Sequence, residues 1–176
     1  MKKFLIIFFS LVLFACNGQT KSSDTSDHSK IIKAQAERMG QLLLKKDFKS
    51  FMKFTYPKII DMIGGQEKMI QIMEKGSIEM ESEGTGVLSV NFGDPSEILT
   101  EGNELQCTLP EVIEMKVPNG RLVTKSTLIA VSTDSGKNWF FIDTSNKDLQ
   151  TLRKGLPNLS SELIIPEHQQ PTFYKE

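Results

Sequence analysis

Between Val87 and Asp143 apolar and polar residues alternate with a period of two, and this alternation constrains the fold more than any other feature of the chain. A period-two stretch buries one side of an extended chain and leaves the other wet, which is the signature of antiparallel strands. Its clearest part sets Leu105, Cys107, Leu109, Ile113, Met115 and Val117 against Glu104, Gln106, Thr108, Glu114 and Lys116. Pro110 and Glu111 interrupt the pattern and read as a bulge or bend. Pro118-Asn119-Gly120 turns the chain into a second long strand, Arg121 to Ser132, because Asn-Gly supplies the positive φ of a tight hairpin. Asp134-Ser135-Gly136 turns it again into Asn138 to Asp143, while Val87 to Phe92 makes an earlier strand and Glu97 to Thr100 begins another.

Upstream of Glu83-Gly84-Thr85-Gly86 the period is helical. From Ser29, the positions Ile32, Ala36, Met39 and Leu43, with Ile31 and Leu42 beside them, form one apolar stripe. Asp47 is placed to cap a short helix carrying Phe48, Phe51 and Met52, which stops near Tyr56 because Pro57 disfavours helical geometry in the residue before it. Pro57 suits the first turn of a helix over Lys58 to Ile63, ended by Gly64-Gly65. Gln66 to about Met80 resumes with Met69, Ile70, Met73, Ser77 and Met80 on one side. A late helix spans Lys147 to Lys154, before Gly155 and Pro157. Helices followed by a strand meander predict an α+β fold, N-terminal helices packed on a curved antiparallel sheet of about four to five strands.

The N-terminus carries a different signal. Lys2 and Lys3 precede an apolar run from Phe4 to Ala15, broken only by Ser10, that is too short to cross the hydrocarbon core of a bilayer, which takes about 20 residues. It ends in Leu13-Phe14-Ala15-Cys16, which resembles the lipobox of bacterial lipoproteins. The resemblance implies removal of residues 1–15, lipidation of Cys16 and residence in the cell envelope, with a membrane partner met through the lipid. Asn17 stands where some lipoproteins carry an aspartate for inner-membrane retention, so the outer membrane is the expected address. Residues 16–28 are polar and small, and are expected to be a disordered tether reaching on the order of 20 Å.

Composition excludes several functions. The formal charge of −1 becomes more negative when Lys2 and Lys3 are removed, so no basic field exists for nucleic acid. With Cys16 lipidated, Cys107 has no cysteine to pair with. The two histidines are His28, in the expected tether, and His168, near the C-terminus, which disfavours Ser/His/Asp triads and His-rich metal sites in the core. No phosphate-binding glycine motif is present, and no cofactor or metal is expected.

The order of helices and strands over residues 29–144 resembles the NTF2-like (SnoaL-like) cone, in which helices close a bent sheet around a pocket. The resemblance rests on element order rather than on a motif, and the domain is expected to span 29–155, with residues 156–176 a Pro-containing tail outside it. Enzymes of that family place acid/base residues inside the cone, and the nearest matches here are Tyr56, Asp61 and Asp143. Asp61 also reads as a solvated helical residue and Asp143 as a cap at a strand end. Trp139, Phe140, Phe141 and Ile142 are apolar on both parities, so their strand is expected to be covered twice, with a helix, the tail or a second copy of the chain as the outer cover. Met69, Met73, Trp139 and Phe141 are the expected lining of any cone pocket, with plain core packing the duller reading.

These readings predict a non-enzymatic envelope lipoprotein that binds a small apolar ligand or a protein partner, homodimerisation through the sheet included. The alternatives are an isomerase- or hydrolase-like enzyme on the same scaffold, and a purely structural envelope component whose cone is filled.

Overall fold

A computed structural model describes residues 22–144 and 147–175. Cys16 and the lipobox lie outside the described residues, as does the first part of the expected tether. The first helix, α1 (Ser22–Leu44), begins earlier than its apolar stripe and takes in the rest of that stretch. Ile32, Ala36, Met39 and Leu42 are its buried face, as their spacing requires. Asp47 caps α2 (Phe48–Phe51), its carboxylate accepting from the Ser50 N–H at 3.1 Å. A 3-10 turn (Met52–Phe54) leads to α3 (Pro57–Ile63), which has Pro57 in its first turn and ends on Gly64 at φ 102°. Helix α4 (Gln66–Ser82) differs from its expected role. None of its residues is buried, its methionine stripe is half-buried, and Ile72 and Ile78 are exposed.

The strands β1 (Gly86–Phe92), β2 (Leu99–Glu101), β3 (Glu104–Val117), β4 (Gly120–Ser132) and β5 (Phe140–Asp143), with β6 (Thr172–Lys175), form one antiparallel sheet that does not close. The fold is α+β with helices on the sheet, as expected, and among the described residues the sheet has six strands where about four to five were expected. The long β3–β4 hairpin is its spine. β1 and β2 pair with the outer side of β3, and β5 and β6 with the outer side of β4.

Pro110 and Glu111 do not bend the spine: β3 runs unbroken and its register with β4 never shifts. The irregularity falls on β1, between Val87 and Ser89. Pro110 is tolerated because its carbonyl accepts from the Gly93 N–H (2.9 Å), on the side away from β4, so its missing N–H faces the gap between β1 and β2. The hairpin turn is Pro118-Asn119, with the positive φ on Asn119 (67°). Gly120 is needed for another reason: a Cβ there would run into the Tyr174 carbonyl oxygen, so glycine lets β6 approach β4.

Both faces of the sheet are buried at the β5 end. On one face Cys107, Leu109, Leu128, Ala130, Trp139 and Phe141 pack under Ile32, Ala36 and Met39 of α1. On the other, Ile129, Val131 and Ile142 pack with Tyr56 and with Leu152, Leu156, Leu159 and Leu163. Leu152 belongs to α5 (Leu149–Gly155), and the other three leucines follow it. Residues 156–175, expected outside the domain, therefore complete its second core and supply its sixth strand. Each of those leucines contributes about 2 kcal/mol of burial, enough to hold an otherwise irregular segment in place.

Candidate functional site

The residues expected to carry chemistry are dispersed. Asp61 is exposed on α3. Asp143 is exposed at the end of β5, across from Leu128. Tyr56 is buried beneath the tail, where its hydroxyl donates to Glu104 Oε1 (3.3 Å) and accepts from Asn158 Nδ2 (3.0 Å). Burial, before its neighbours, raises its pKa. Asn158 also donates to Glu104 Oε2 (2.7 Å), and Gln106 Nε2 donates to both Glu104 Oε2 and the Asn158 carbonyl (2.9 Å each). Every polar group in this cluster is engaged with another, so it fastens the tail rather than presenting a reactive atom.

Trp139 and Phe141 are core residues. The Trp139 indole N–H donates to the Gly136 carbonyl (2.9 Å), its backbone N–H donates to Gln35 Oε1 (2.8 Å), and the His28 ring meets its edge. His28 thus packs on the folded unit, against the expectation that it lies in a free tether. Met69 and Met73 sit half-buried on α4 and are not among the residues packed with Trp139 and Phe141. Plain packing, rather than a shared pocket, describes the tryptophan and its neighbours.

The most perturbed carboxyl is one the sequence pattern concealed. Glu111 is 6% exposed, and its Oε2 accepts from Ser126 Oγ at 2.6 Å. Burial pushes its pKa up to about 7; the Ser126 hydroxyl pulls it down and the nearby Asp143 charge pushes it further up. The signal for it was parity. Odd positions of β3 face the α1 side, and continuing the alternation through Pro110 turns Glu111 inward with Leu109 and Ile113.

On the tail side of the sheet a groove of about 460 Å³ is lined by Lys125, Thr127, Lys147, Asp148, Glu167 and His168; Glu111 and Ser126 border it from strand positions whose side chains the register turns to the α1 face. The groove lies where the outer edge of β4 is unpaired, between Val123, where its pairing with β6 stops, and Leu128, where its pairing with β5 starts. Residues 164–171 arch beside it, held at one end by buried Leu163 and at the other by β6, and Ile165, Pro166 and Glu167 contribute to its wall. Thr144 closes the β5 side, its N–H (3.3 Å) and hydroxyl (2.8 Å) both donating to the Thr127 carbonyl. A second, shallower groove lies beside Gly64-Gly65 at the start of α4.

Among the described residues no group of three or more His, Cys, Asp or Glu is placed to hold a metal ion, and no helix is long and apolar enough to cross a membrane. No known protein family matches the chain, and no curated protein matches it.

Proposed function

We propose that this protein is an envelope lipoprotein, anchored through Cys16, that works without catalysis by presenting one end of its sheet to a protein partner. The observation that carries this reading is where the exposed apolar side chains lie. His28, in the first third of α1, and Gln35, near its middle, hold the turn before β5, through Trp139 and the Lys137 carbonyl. The chain from Cys16 to Ser22 spans roughly 20 Å at most, so a lipid at Cys16 keeps this end beside the bilayer. Helix α1 then runs about 35 Å to its other end, where Lys46 pairs with Glu81.

At that far end lie Leu44, Ile78, Leu88, Phe173 and Tyr174, five of the eight exposed large apolar residues among the described residues, the others being Met62, Ile72 and Ile164. Phe173 and Tyr174 sit on β6 beside the hairpin tip, and Leu88 at the irregular part of β1. Apolar groups gathered at one end of a small fold mark an interaction surface, and a membrane-proximal anchor points that end outward. The packed core around Trp139 and Phe141 favours a protein partner over a small apolar ligand inside a cone.

The test is photo-crosslinking in cells from positions 88 and 173 of the full lipidated chain, with positions 61 and 150 as controls. A discrete adduct from the far end alone supports the reading. Equal or absent adducts at all four positions rule it out.

One observation favours the enzymatic alternative, namely the buried Glu111 carboxyl near neutrality, a state suited to moving a proton. It needs a turnover that Glu111→Gln abolishes. Around Trp139 and Phe141 the filled core also fits a purely structural component, for which the groove beside Glu111 would have no occupant.

A further inference from the structure

We propose that the outer edge of β4, from Gly120 to Ser126, accepts an extended strand from a partner protein, and that β6 is a displaceable cover over part of that edge. The strand comes from the partner assigned above to this end of the sheet, and its source rests on that reading.

β6 is a weak occupant. All four of its residues are exposed, Phe173 by 52% and Tyr174 by 45%. It is held by backbone pairing with Gly120 to Val123 and by the Tyr174 ring, whose centre lies 4.7 Å from the Arg121 guanidinium. Residues 166–171, which lead into it, are exposed as well. A strand that buries no side chain opens at little cost.

β6 also covers less of the edge than is open. In an antiparallel strand the N–H and C=O of one residue face the same side, and successive residues alternate. The Thr127 carbonyl faces outward, to Thr144, so Lys125 faces outward too. Pairing with β6 stops at Val123 and pairing with β5 starts at Leu128, which leaves the Lys125 N–H and C=O without a backbone partner among the described residues. Pro171 accounts for the gap. Two more residues of β6 would bring Gln170 opposite Lys125, but a proline φ near −65° departs from the −140° or so of an antiparallel strand and takes the chain off the edge. β3 continues through Pro110 because β4 pairs with it on both sides of the proline, and nothing beyond Pro171 does the same.

The cover shows what would fit. β6 sets Phe173 opposite Leu122 and Tyr174 opposite Arg121, so the edge suits a strand with aromatic or β-branched residues at those two positions. Without a proline such a strand also pairs with Lys125, and the side chain it sets there enters the groove of about 460 Å³ that Lys125 lines. It makes the bonds of β6 and two more, which lets it displace β6. A second copy of this chain carries the same Pro171 and gains nothing by exchange.

The experiment is titration of the full chain, in detergent micelles, against two fluorescent peptides that copy residues 169–175, one unchanged and one with Pro171→Thr. Anisotropy gives the affinities, and residue-resolved hydrogen exchange follows the Lys125 amide. The Pro171→Thr peptide should bind about tenfold more tightly than the unchanged copy, or better, and slow Lys125 exchange by a similar factor. In the protein itself, Pro171→Thr should let β6 reach Lys125, slowing its exchange without peptide and weakening the peptide about tenfold.

No binding, equal affinities of the two peptides, or Lys125 exchange that bound peptide leaves unchanged overturns the proposal. A dimer of the unmodified chain that the peptide dissociates makes a second copy the occupant and overturns the assignment to a partner. The titration needs no cellular partner, so it can fail while crosslinking from positions 88 and 173 succeeds, and the reverse.

Discussion

Gln106, with no exposed surface, holds the backbone of Ser160: its Oε1 accepts the Ser160 N–H at 2.9 Å. Its Nε2 donates to the Asn158 carbonyl at the same distance, so one side chain of β3 satisfies two backbone groups of the segment that covers it. An irregular segment can be buried only if such groups find partners.

Gln106→Ala should therefore destabilise the protein by about 3 kcal/mol, since it strands buried polar groups at roughly 1–3 kcal/mol each. Urea unfolding measures the loss, and trypsin should cut faster at Arg153 and Lys154. A loss below about 1 kcal/mol would mean that the segment is held by its leucines alone.

Glu111 makes stability depend on pH in the opposite sense to an ordinary ion-paired acid. Its folded pKa of about 7 lies above the unfolded value of 4.5, so between these values the folded state binds more protons. Stability should be full below about pH 4.5 and fall as pH rises to about 7. Glu111→Gln removes that slope and should stabilise the protein at pH 8 by at most about 3 kcal/mol. Melting curves from pH 4.5 to 8 decide it, and an unchanged slope in the variant would remove Glu111 as the cause.

Gly120→Ala should detach β6 and little else. The new methyl group collides with the Tyr174 carbonyl and comes within 3.0 Å of the Phe173 ring, whereas every residue of β6 is exposed and contributes little to the core. Hydrogen exchange is the readout, with faster exchange expected at 173–175 and unchanged protection in β3 and β5.

Cys107 should be inert in the native protein. It has no exposed surface, and burial pushes its thiol up to about 12, so almost no thiolate forms at neutral pH. A thiol reagent should label it only at the rate of unfolding. Rapid labelling in native buffer would show that the α1 face opens locally.

On the proposed anchoring, Cys16→Ala should move the protein from the membrane fraction to the soluble fraction, because that reading puts the whole lipid anchor on one residue. Unchanged fractionation would leave the lipobox resemblance without a consequence.

Much of the fold was legible because it rests on local rules. The stripe Ile32, Ala36, Met39, the Asp47 cap, Pro57 in a first helical turn and the long β3–β4 hairpin each follow from a spacing or a single residue's geometry. The main candidate residue was hidden by one such rule. A proline in a strand reads as a break, and a break conceals the parity that turns Glu111 inward. The tolerance of Pro110 depends on which neighbour its missing N–H faces, and this is a property of the assembled sheet.

Sequence by itself determined the α+β order, the hairpin spine and the inward placement of Cys107, because periodicity and turn chemistry act over a few residues. Only the tertiary structure decided that residues 156–175 build the second core, that α4 stays at the surface, and that Glu111 is buried against Ser126. Those outcomes rest on contacts between segments distant in the chain, such as Gln106 with Ser160, and no local pattern encodes which distant segment will cover a given face.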